Sequence, residues 1–377
     1  MILCDVFAPS LPPRAAIFSG MASGWIEHDE AGYKAVVRMA NGRRRAKRFP
    51  KRAAAKAWLS EMQTAVDRGT FVDPRLGKVR FGDWAKEFRA SDGHSLRPTT
   101  LDQNARTYRN HILPAFEKAE LGKITQTAVQ RWVNDLVSAG LAPSTVQKYY
   151  QTLGKAFTGA VDAGLLARSP CRGIKRPQLE HFEMRFLTTA QVSKLAKKID
   201  GRYRALVFVA AYGGLRIGEL AGLRRARFAD GVLDIREQAV EVGGHVHFGP
   251  PKTKAGRRRV PLPDPVVAIL EEHIKEYVPD EPDAFIFGGV EGHVLRAATW
   301  RRRVLNPAAT AAKLGVVSPH DLRHTAVAIW IAAGIPVKEI ADRAGHGSVA
   351  VVLDRYGHLF PDSPDSFRER VGELFKP

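Results

Sequence analysis

Five side chains in the C-terminal half of the sequence have the types needed for one reaction: Arg216, His320, Arg323, His346 and Tyr356. Guanidinium groups bind the oxygens of a phosphate with paired hydrogen bonds, and cations aimed at developing negative charge stabilise a transition state. A tyrosine needs a proton acceptor and a positive field to act as a nucleophile, and histidine is well suited to accept that proton. The set therefore indicates attack of a phenol on a phosphodiester.

Other interpretations apply to these residues taken singly. An arginine after a glycine turn is usually a solvated surface group, and a lone tyrosine usually packs against the core. His320 and His324 are four positions apart and could both bind a metal ion. No acidic third ligand lies nearby in the sequence, however, and the adjacent Arg323 would repel a cation. The five residues together are much less compatible with such readings.

Local sequence signals place these side chains on structural elements. The apolar run at 205–212 predicts a buried helix that leads to the glycine turn Gly213-Gly214 and then to Arg216. Ser318-Pro319 predicts a helix start, with Asp321 placed to complete a capping box. The spacing of His320 and Arg323 puts both on one face of that helix.

In order and local context, these residues resemble the tyrosine recombinases of the phage integrase type, from about residue 21 to the C-terminus. The resemblance implies that Tyr356 attacks DNA to form a 3′-phosphotyrosine and release a 5′-hydroxyl. It further implies stabilisation of the phosphate by Arg216, Arg323 and His346, acid/base catalysis by His320, and orientation of Arg216 by Glu219.

The family also carries a lysine general acid on a β-hairpin between the first arginine and the His-x-x-Arg pair. Here the segment GPPKTKAGRRRVPL, residues 249–262, matches that hairpin, with Ala255-Gly256 near the turn. Lys252 fits the position of the acid best, and Lys254 is the alternative.

The resemblance implies a recombinase that integrates a phage or mobile-element genome and, with an accessory factor, excises it. Its partners would be double-stranded DNA attachment sites of core and arm types, three further copies in a homotetramer, a host DNA-bending factor and an excisionase. No cofactor and no metal are expected, because bond energy is kept in the protein–DNA ester. The alternatives are a chromosomal Xer-type recombinase, a type IB topoisomerase, and a DNA-binding protein that has lost catalysis.

Composition agrees with a nucleic-acid partner. The 377 residues include 58 lysines and arginines against 39 acidic residues, giving a formal net charge of +19 and a sequence pI of about 10.1. No lipidation signal and no apolar run long enough to span a bilayer occur, which argues against a membrane partner. Cys4 and Cys171 form no metal or redox spacing. A reduced cytoplasmic setting at the host nucleoid is expected.

The length predicts several domains in a multidomain α+β fold. We expect a disordered leader at 1–20, an arm-type DNA-binding domain at 21–75 with a three-stranded sheet plus helix, and a helical core-binding bundle at 77–172. A linker at 173–185 then leads to a mainly α catalytic domain with a small β-hairpin sheet at 186–377. Met21 is an alternative start to Met1. The predicted terminal helix carries Phe367, Val371, Leu374 and Phe375 on one face and could dock in cis or on a neighbouring protomer.

Basic residues of the two N-terminal modules are candidate DNA contacts. Residues 21–75 contain 12 lysines and arginines and 6 acids, and Asn41-Gly42 predicts a hairpin turn beside the most basic stretch. The candidates there are Arg43, Arg44, Arg45, Lys47 and Arg48, and those of the bundle are Arg97, Lys148, Lys155 and Arg172.

Overall fold

The computed structural model describes residues 23–38, 44–67, 76–93, 96–179, 184–289 and 291–360, together with 368 and 371–373. The chain divides into two compact units, residues 1–181 and 182–377. This division falls inside the segment expected to be a linker, and the finer domain limits stay predictions. The predicted leader, the Asn41-Gly42 turn and most of the apolar face of the terminal helix lie outside the described residues.

The first unit begins with an antiparallel sheet in the order β1 (Ser23–Asp29), β2 (Gly32–Arg38) and β3 (Arg44–Phe49), followed by α1 (Arg52–Asp67). The predicted three strands and helix are therefore confirmed. Apolar side chains of β2 are buried, Val36 and Val37 among them. Helix α1 packs closely on β1, since a Cβ atom on Gly24 would lie 2.4 Å from Leu59 Cδ1. Burial of these apolar groups stabilises the small sheet.

The same unit contains a helical bundle, as predicted. Its helices are α2 (Phe81–Asp92), α3 (Pro98–Thr107), α4 (Leu113–Phe116), α5 (Gln126–Ser138) and α6 (Pro143–Asp162). Its core holds Phe81, Tyr108, Leu153 and Phe157. A π-helical turn, Tyr108–Ile112, joins α3 to α4. Pro114 has no N–H to continue the α-helical ladder, which favours this local widening.

The second unit is built around the buried helix α8 (Arg204–Gly213), which follows α7 (Thr189–Lys198) and precedes α9 (Ile217–Ala221). Helix α8 packs against α7, α10 (Asp264–Tyr277) and α13 (Pro319–Ala332), and most of its apolar residues are buried, with Phe208 and Tyr212 half-buried. Gly214 ends it in the left-handed conformation with φ 65°. A Cβ atom there would also lie 2.6 Å from the Trp330 ring, so a glycine is required on two grounds.

Two small sheets follow α9. Strands β4 (Phe228–Ala229), β5 (Val232–Ile235) and β8 (Arg258–Pro261) form one, and β6 (Gln238–Val242) and β7 (His245–Gly249) form the other. The hairpin expected at residues 249–262 is therefore wrong: β8 pairs with β5 instead. Residues 254–256 form a 3-10 turn. Pro250 and Pro251 cannot donate to a ladder, and this ends β7 at Gly249.

Helices complete the second unit: α10 (Asp264–Tyr277), α11 (Ala297–Trp300), α12 (Asn306–Ala311), α13 (Pro319–Ala332), α14 (Val337–Ala344) and α15 (Ala350–Tyr356). The predicted capping box of α13 is confirmed, since Ser318 Oγ accepts from Asp321 N at 3.2 Å and Ser318 N donates to Asp321 Oδ2 at 2.8 Å. No helix among the described residues is long and apolar enough to cross a membrane.

Candidate active site

The turn between α8 and α9 presents Arg216 at the start of α9. Its backbone N–H donates to Glu219 Oε2 at 2.9 Å, and its Nη1 donates to Glu219 Oε1 at 2.8 Å. The Glu219 side chain is fully buried, whereas that of Arg216 is 30% exposed. Glu219 therefore holds the Arg216 guanidinium from the protein interior, while part of that guanidinium is exposed to solvent and can bind an anion.

A second arginine, Arg258 on β8, holds the same carboxylate and was missed from the sequence. Its Nη1 and Nη2 donate to the two oxygens of Glu219 at 3.1 and 3.0 Å. Burial alone would raise the pKa of the Glu219 carboxyl, but Arg258 and then Arg216 hold it below its ordinary value. A sequence signal did exist, because Arg258 lies two positions before the buried Val260 and so on the same face of the strand.

Arg323 on α13 is almost completely buried and bridges two backbone segments. Its Nη1 donates to Gly214 O at 2.6 Å, and its Nη2 donates to Ala344 O. The same Nη2 lies 3.2 Å from His346 Nε2. Burial and then the charge of Arg216 lower the pKa of Arg323 to about 9, so the group stays mostly charged at neutral pH.

The loop after α14 carries His346 to this arginine. Gly345 ends the helix with φ 63°, and a Cβ atom there would lie 3.0 Å from Ala255 O. Burial, followed by the charges of Arg323 and Arg216, lowers the pKa of His346 to about 4. The ring is therefore neutral at physiological pH. Its Nε2 accepts from Arg323, which leaves the proton on Nδ1, a buried atom without a hydrogen-bond partner among the described residues.

Residues 344–346 also contact the first arginine, since Arg216 Nη2 donates to Gly345 O at 3.2 Å. One loop therefore holds both arginines, through the carbonyl of Ala344 for Arg323 and that of Gly345 for Arg216, and presents His346 beside them. Arg216, Arg323 and His346, which were expected to act together, lie together in the structure.

Tyr356 is hydrogen-bonded to His324, a residue to which the sequence analysis assigned no catalytic role. His324 Nδ1 lies 2.5 Å from Tyr356 Oη, and both side chains are buried. His320 precedes His324 by one helical turn, with ring centroids 4.4 Å apart in an edge-to-face arrangement. Burial raises the pKa of the Tyr356 phenol in spite of the opposing charge of Arg323. Sequence reasoning considered His324 only as a metal ligand, and its direct contact with the nucleophile candidate depends on tertiary structure.

Lys252 and Lys254 are both exposed and lie between β7 and β8. The turn at residues 254–256 adjoins the His346 loop, through the close approach of Ala255 O to Gly345. The structure thus brings the lysine segment to the edge of the site.

The candidate DNA contacts of the first unit are at its surface. Arg44, Lys47 and Arg48 are exposed on the edge strand β3, while Arg45 is half-buried there. Arg48 pairs with Asp29 at 2.6 Å. Exposed positions are also occupied by Arg97, Lys148, Lys155 and Arg172. Arg43 lies outside the described residues.

The site thus has two guanidinium groups, of Arg216 and Arg323, and the neutral imidazole of His346 around one loop. The Tyr356 phenol is hydrogen-bonded to the His324 imidazole on the same helix as Arg323. Such an arrangement can bind a tetrahedral anion and place a nucleophile near it.

Comparisons with known proteins give one consistent result. The family described as "Phage integrase family" matches residues 185–362, and "Phage integrase, N-terminal SAM-like domain" matches residues 80–137. Together the two matches span more than half of the chain.

Among curated relatives, the putative prophage phiRv2 integrase of Mycobacterium tuberculosis is 28% identical over 324 residues, covering 83% of this chain and 84% of that protein. The ICEBs1 integrase of Bacillus subtilis is 28% identical and covers 81% of this chain and 87% of that protein.

Solved structures share the fold. The Tn1549 transposon integrase in complex with transposon right end DNA superposes with a TM-score of 0.66 at 20% identity, covering 79% of this chain and 100% of that chain. A lambda integrase tetramer bound to a Holliday junction superposes with a TM-score of 0.58 at 17% identity, covering 95% of this chain and 99% of that chain.

Proposed function

The chain belongs to the phage integrase family of tyrosine recombinases, and we propose that it is a site-specific integrase of a phage or mobile element. It cuts and rejoins DNA through a 3′-phosphotyrosine. The O–P bond forms between Tyr356 Oη and the scissile phosphorus while the bond to the 5′-oxygen breaks. The 5′-hydroxyl of a partner strand then attacks the phosphotyrosine ester and releases the tyrosine. The ester conserves the energy of the broken phosphodiester bond, so the reaction needs no nucleotide and no metal.

The observation that carries this proposal is the loop of residues 344–346, which joins both arginines to His346. Arg216 and Arg323 reach it from different elements, α9 and α13, and hold adjacent carbonyls. The two guanidiniums are therefore fixed before DNA arrives. Preorganised cations of this kind lower the barrier because they need not reorient as charge develops on the phosphate.

Each residue takes a role that its surroundings favour. Arg216 is partly exposed and binds a non-bridging oxygen directly. Arg323 is buried, so its charge supports the phosphate at short range through a medium of low dielectric. His346 is neutral with its proton on Nδ1, and it assists as a hydrogen-bond donor. His320 acts as a general acid/base at the phosphate.

The leaving 5′-oxygen requires a proton, and Lys252 supplies it in this proposal. The lysine segment borders the His346 loop through the close approach of Ala255 O to Gly345, and the Lys252 side chain is exposed. Lys254 remains the alternative, as it is exposed in the same segment.

The other modules supply the DNA specificity. The basic edge strand β3 of the small sheet binds arm-type sites, and the helical bundle binds the core site with phosphate contacts from Lys148 and Lys155. By similarity to the lambda integrase tetramer on a Holliday junction, four copies assemble on two attachment sites. A host bending factor and an excisionase assist, and the reaction takes place on nucleoid DNA in the host cytoplasm.

Recombination between the joined ends of the mobile element that carries the gene and the empty chromosomal site tests this function. Plasmids bearing the joined ends and the empty chromosomal site are supplied with wild-type protein or with Tyr356→Phe. We expect identical, sequence-precise junctions with wild type alone. Junctions that vary in sequence, or that form equally with Tyr356→Phe, would contradict the proposal.

A further inference from the structure

His324 is hydrogen-bonded to the Tyr356 hydroxyl, yet the mechanism proposed above assigns it no role. It lies on α13, one residue after Arg323 and one turn after His320. Its Nδ1 is 2.5 Å from Tyr356 Oη. Among the described residues, this is the side-chain hydrogen bond that the Tyr356 hydroxyl makes. A nucleophile and a base within hydrogen-bond reach of each other are the structural sign of an activated nucleophile.

We infer that His324 is the general base that takes the phenolic proton of Tyr356 during cleavage. The inference rests on the proposed function. As Tyr356 Oη bonds to phosphorus, its proton moves to His324 Nδ1, and the 5′-oxygen leaves with a proton from the lysine segment. In the reverse step His324 returns the proton to the departing phenol. Every proton and bond is thereby accounted for without a further reactant.

Burial makes His324 the acceptor available to this phenol. Tyr356 is 1% exposed and His324 is 7% exposed, so bulk water does not compete for the proton in this conformation. His320 stacks edge-on against His324 rather than bonding to Tyr356. His320 therefore does not compete for the proton of Tyr356, and it is left to act as the general acid/base at the phosphate.

The electrostatic setting also suits a base that works only when DNA is bound. Burial, then His320, and further the cations Arg355 and Arg323 lower the pKa of His324 to about 4, so the ring is neutral and its Nδ1 can accept. A phosphodiester bound at Arg216 and Arg323 adds a negative charge that offsets those cations. The basicity of His324 therefore rises when the substrate arrives.

Single-turnover formation of the covalent adduct tests this role. The assay uses a nicked duplex that carries the crossover region at saturating protein. His324→Ala removes the base, and we expect the rate to fall at least about 100-fold, as for other lost proton-transfer catalysts. Added imidazole should fill the space and restore the rate at least tenfold, more strongly for imidazoles of higher pKa. His358→Ala, which changes an exposed histidine beyond the nucleophile, is the matched control and should cleave like wild type.

His324→Asn separates proton transfer from placement, and it serves also if the alanine variant does not fold. Asparagine keeps an oxygen acceptor where Nδ1 stood, yet it takes no proton at neutral pH. We expect it to bind DNA and melt like wild type while cleaving at least about 100-fold more slowly. Wild-type cleavage by His324→Asn would overturn the assignment. Faster cleavage by either variant would also overturn it, because the bond would then restrain the phenol. Absence of an adduct from wild type would instead contradict the proposed function itself.

Discussion

Arg258 forms a two-point ion pair with Glu219, with N–O distances of 3.1 and 3.0 Å, and both side chains are buried. The same carboxylate receives two hydrogen bonds from Arg216. Arg258 Nε also donates to Arg343 O at 2.6 Å, near the end of α14. Glu219 thus links Arg216 to Arg258, and Arg258 in turn links strand β8 to the end of α14, the helix that precedes His346.

Breaking this pair should destabilise the second unit and slow catalysis. Arg258→Met leaves Glu219 buried with one cation instead of two, and loss of one partner of a buried pair costs about 3 kcal/mol in the free energy of unfolding. Chemical denaturation and the adduct rate measure the two effects. Arg259→Met changes the next, exposed residue of the same strand and should alter neither. Equal stability of the two variants would mean that Arg258 contributes no structural support.

Gly345 should be needed for catalysis rather than for DNA binding. Its φ of 63° disfavours other residues, and an added Cβ atom would lie 3.0 Å from Ala255 O. Gly345→Ala therefore shifts the loop that holds Arg216, Arg323 and His346. A displacement of about 1 Å can lower a rate about 100-fold. Gly347→Ala, where a Cβ atom meets open space, is the control. Similar cleavage rates for the two variants would contradict the role of the loop.

The general acid can be identified by changing the leaving group. A substrate with sulfur at the bridging 5′ position departs as a thiolate and needs no proton. We expect Lys252→Ala to lower cleavage of ordinary DNA about 100-fold or more and to cleave the sulfur substrate at the wild-type rate. Lys254→Ala should match wild type on both substrates. The reverse pattern would assign the acid to Lys254, and no rescue of either variant would exclude this lysine segment.

Stability should fall as the solution is acidified below neutral pH. His324 and His346 have pKa values lowered to about 4, against an ordinary value of 6.5. The unfolded chain therefore binds protons between these values that the folded chain does not, and stability rises with pH across this window. The contribution of these two histidines to the free energy of unfolding is complete above pH 6.5 and is lost as pH falls towards 4. A melting temperature equal at pH 7 and pH 5 would contradict the buried, neutral state of the rings. His346→Asn should reduce the dependence.

Sequence reasoning located what depends on local geometry. The Gly213-Gly214 turn before Arg216 and the capping box at Ser318 and Asp321 are encoded within a few residues, and the structure has both. The helix cap fixes where His320 and Arg323 fall on α13, because a helix start sets the phase of every later residue.

What sequence reasoning missed depends on contacts between distant segments. Arg258 and Glu219 are 39 positions apart, and His324 and Tyr356 are 32 apart. No periodicity predicts either pair. The hairpin at 249–262 was wrong for a related reason: β8 finds its partner in β5, across the intervening β6–β7 hairpin, while two prolines end the nearer ladder. Short helices such as α11 and α12 lack an apolar stripe long enough to stand out.

The most direct test is to trap the covalent intermediate and identify the attached residue. Wild-type protein is incubated in EDTA with a duplex nicked near the crossover, so that the released fragment diffuses away and the ester persists. Protease digestion and mass spectrometry then locate the nucleotide. We expect the 3′-phosphate on Tyr356 and no adduct with Tyr356→Phe. An adduct on another residue, or one that requires a divalent metal, would contradict a metal-independent tyrosine nucleophile.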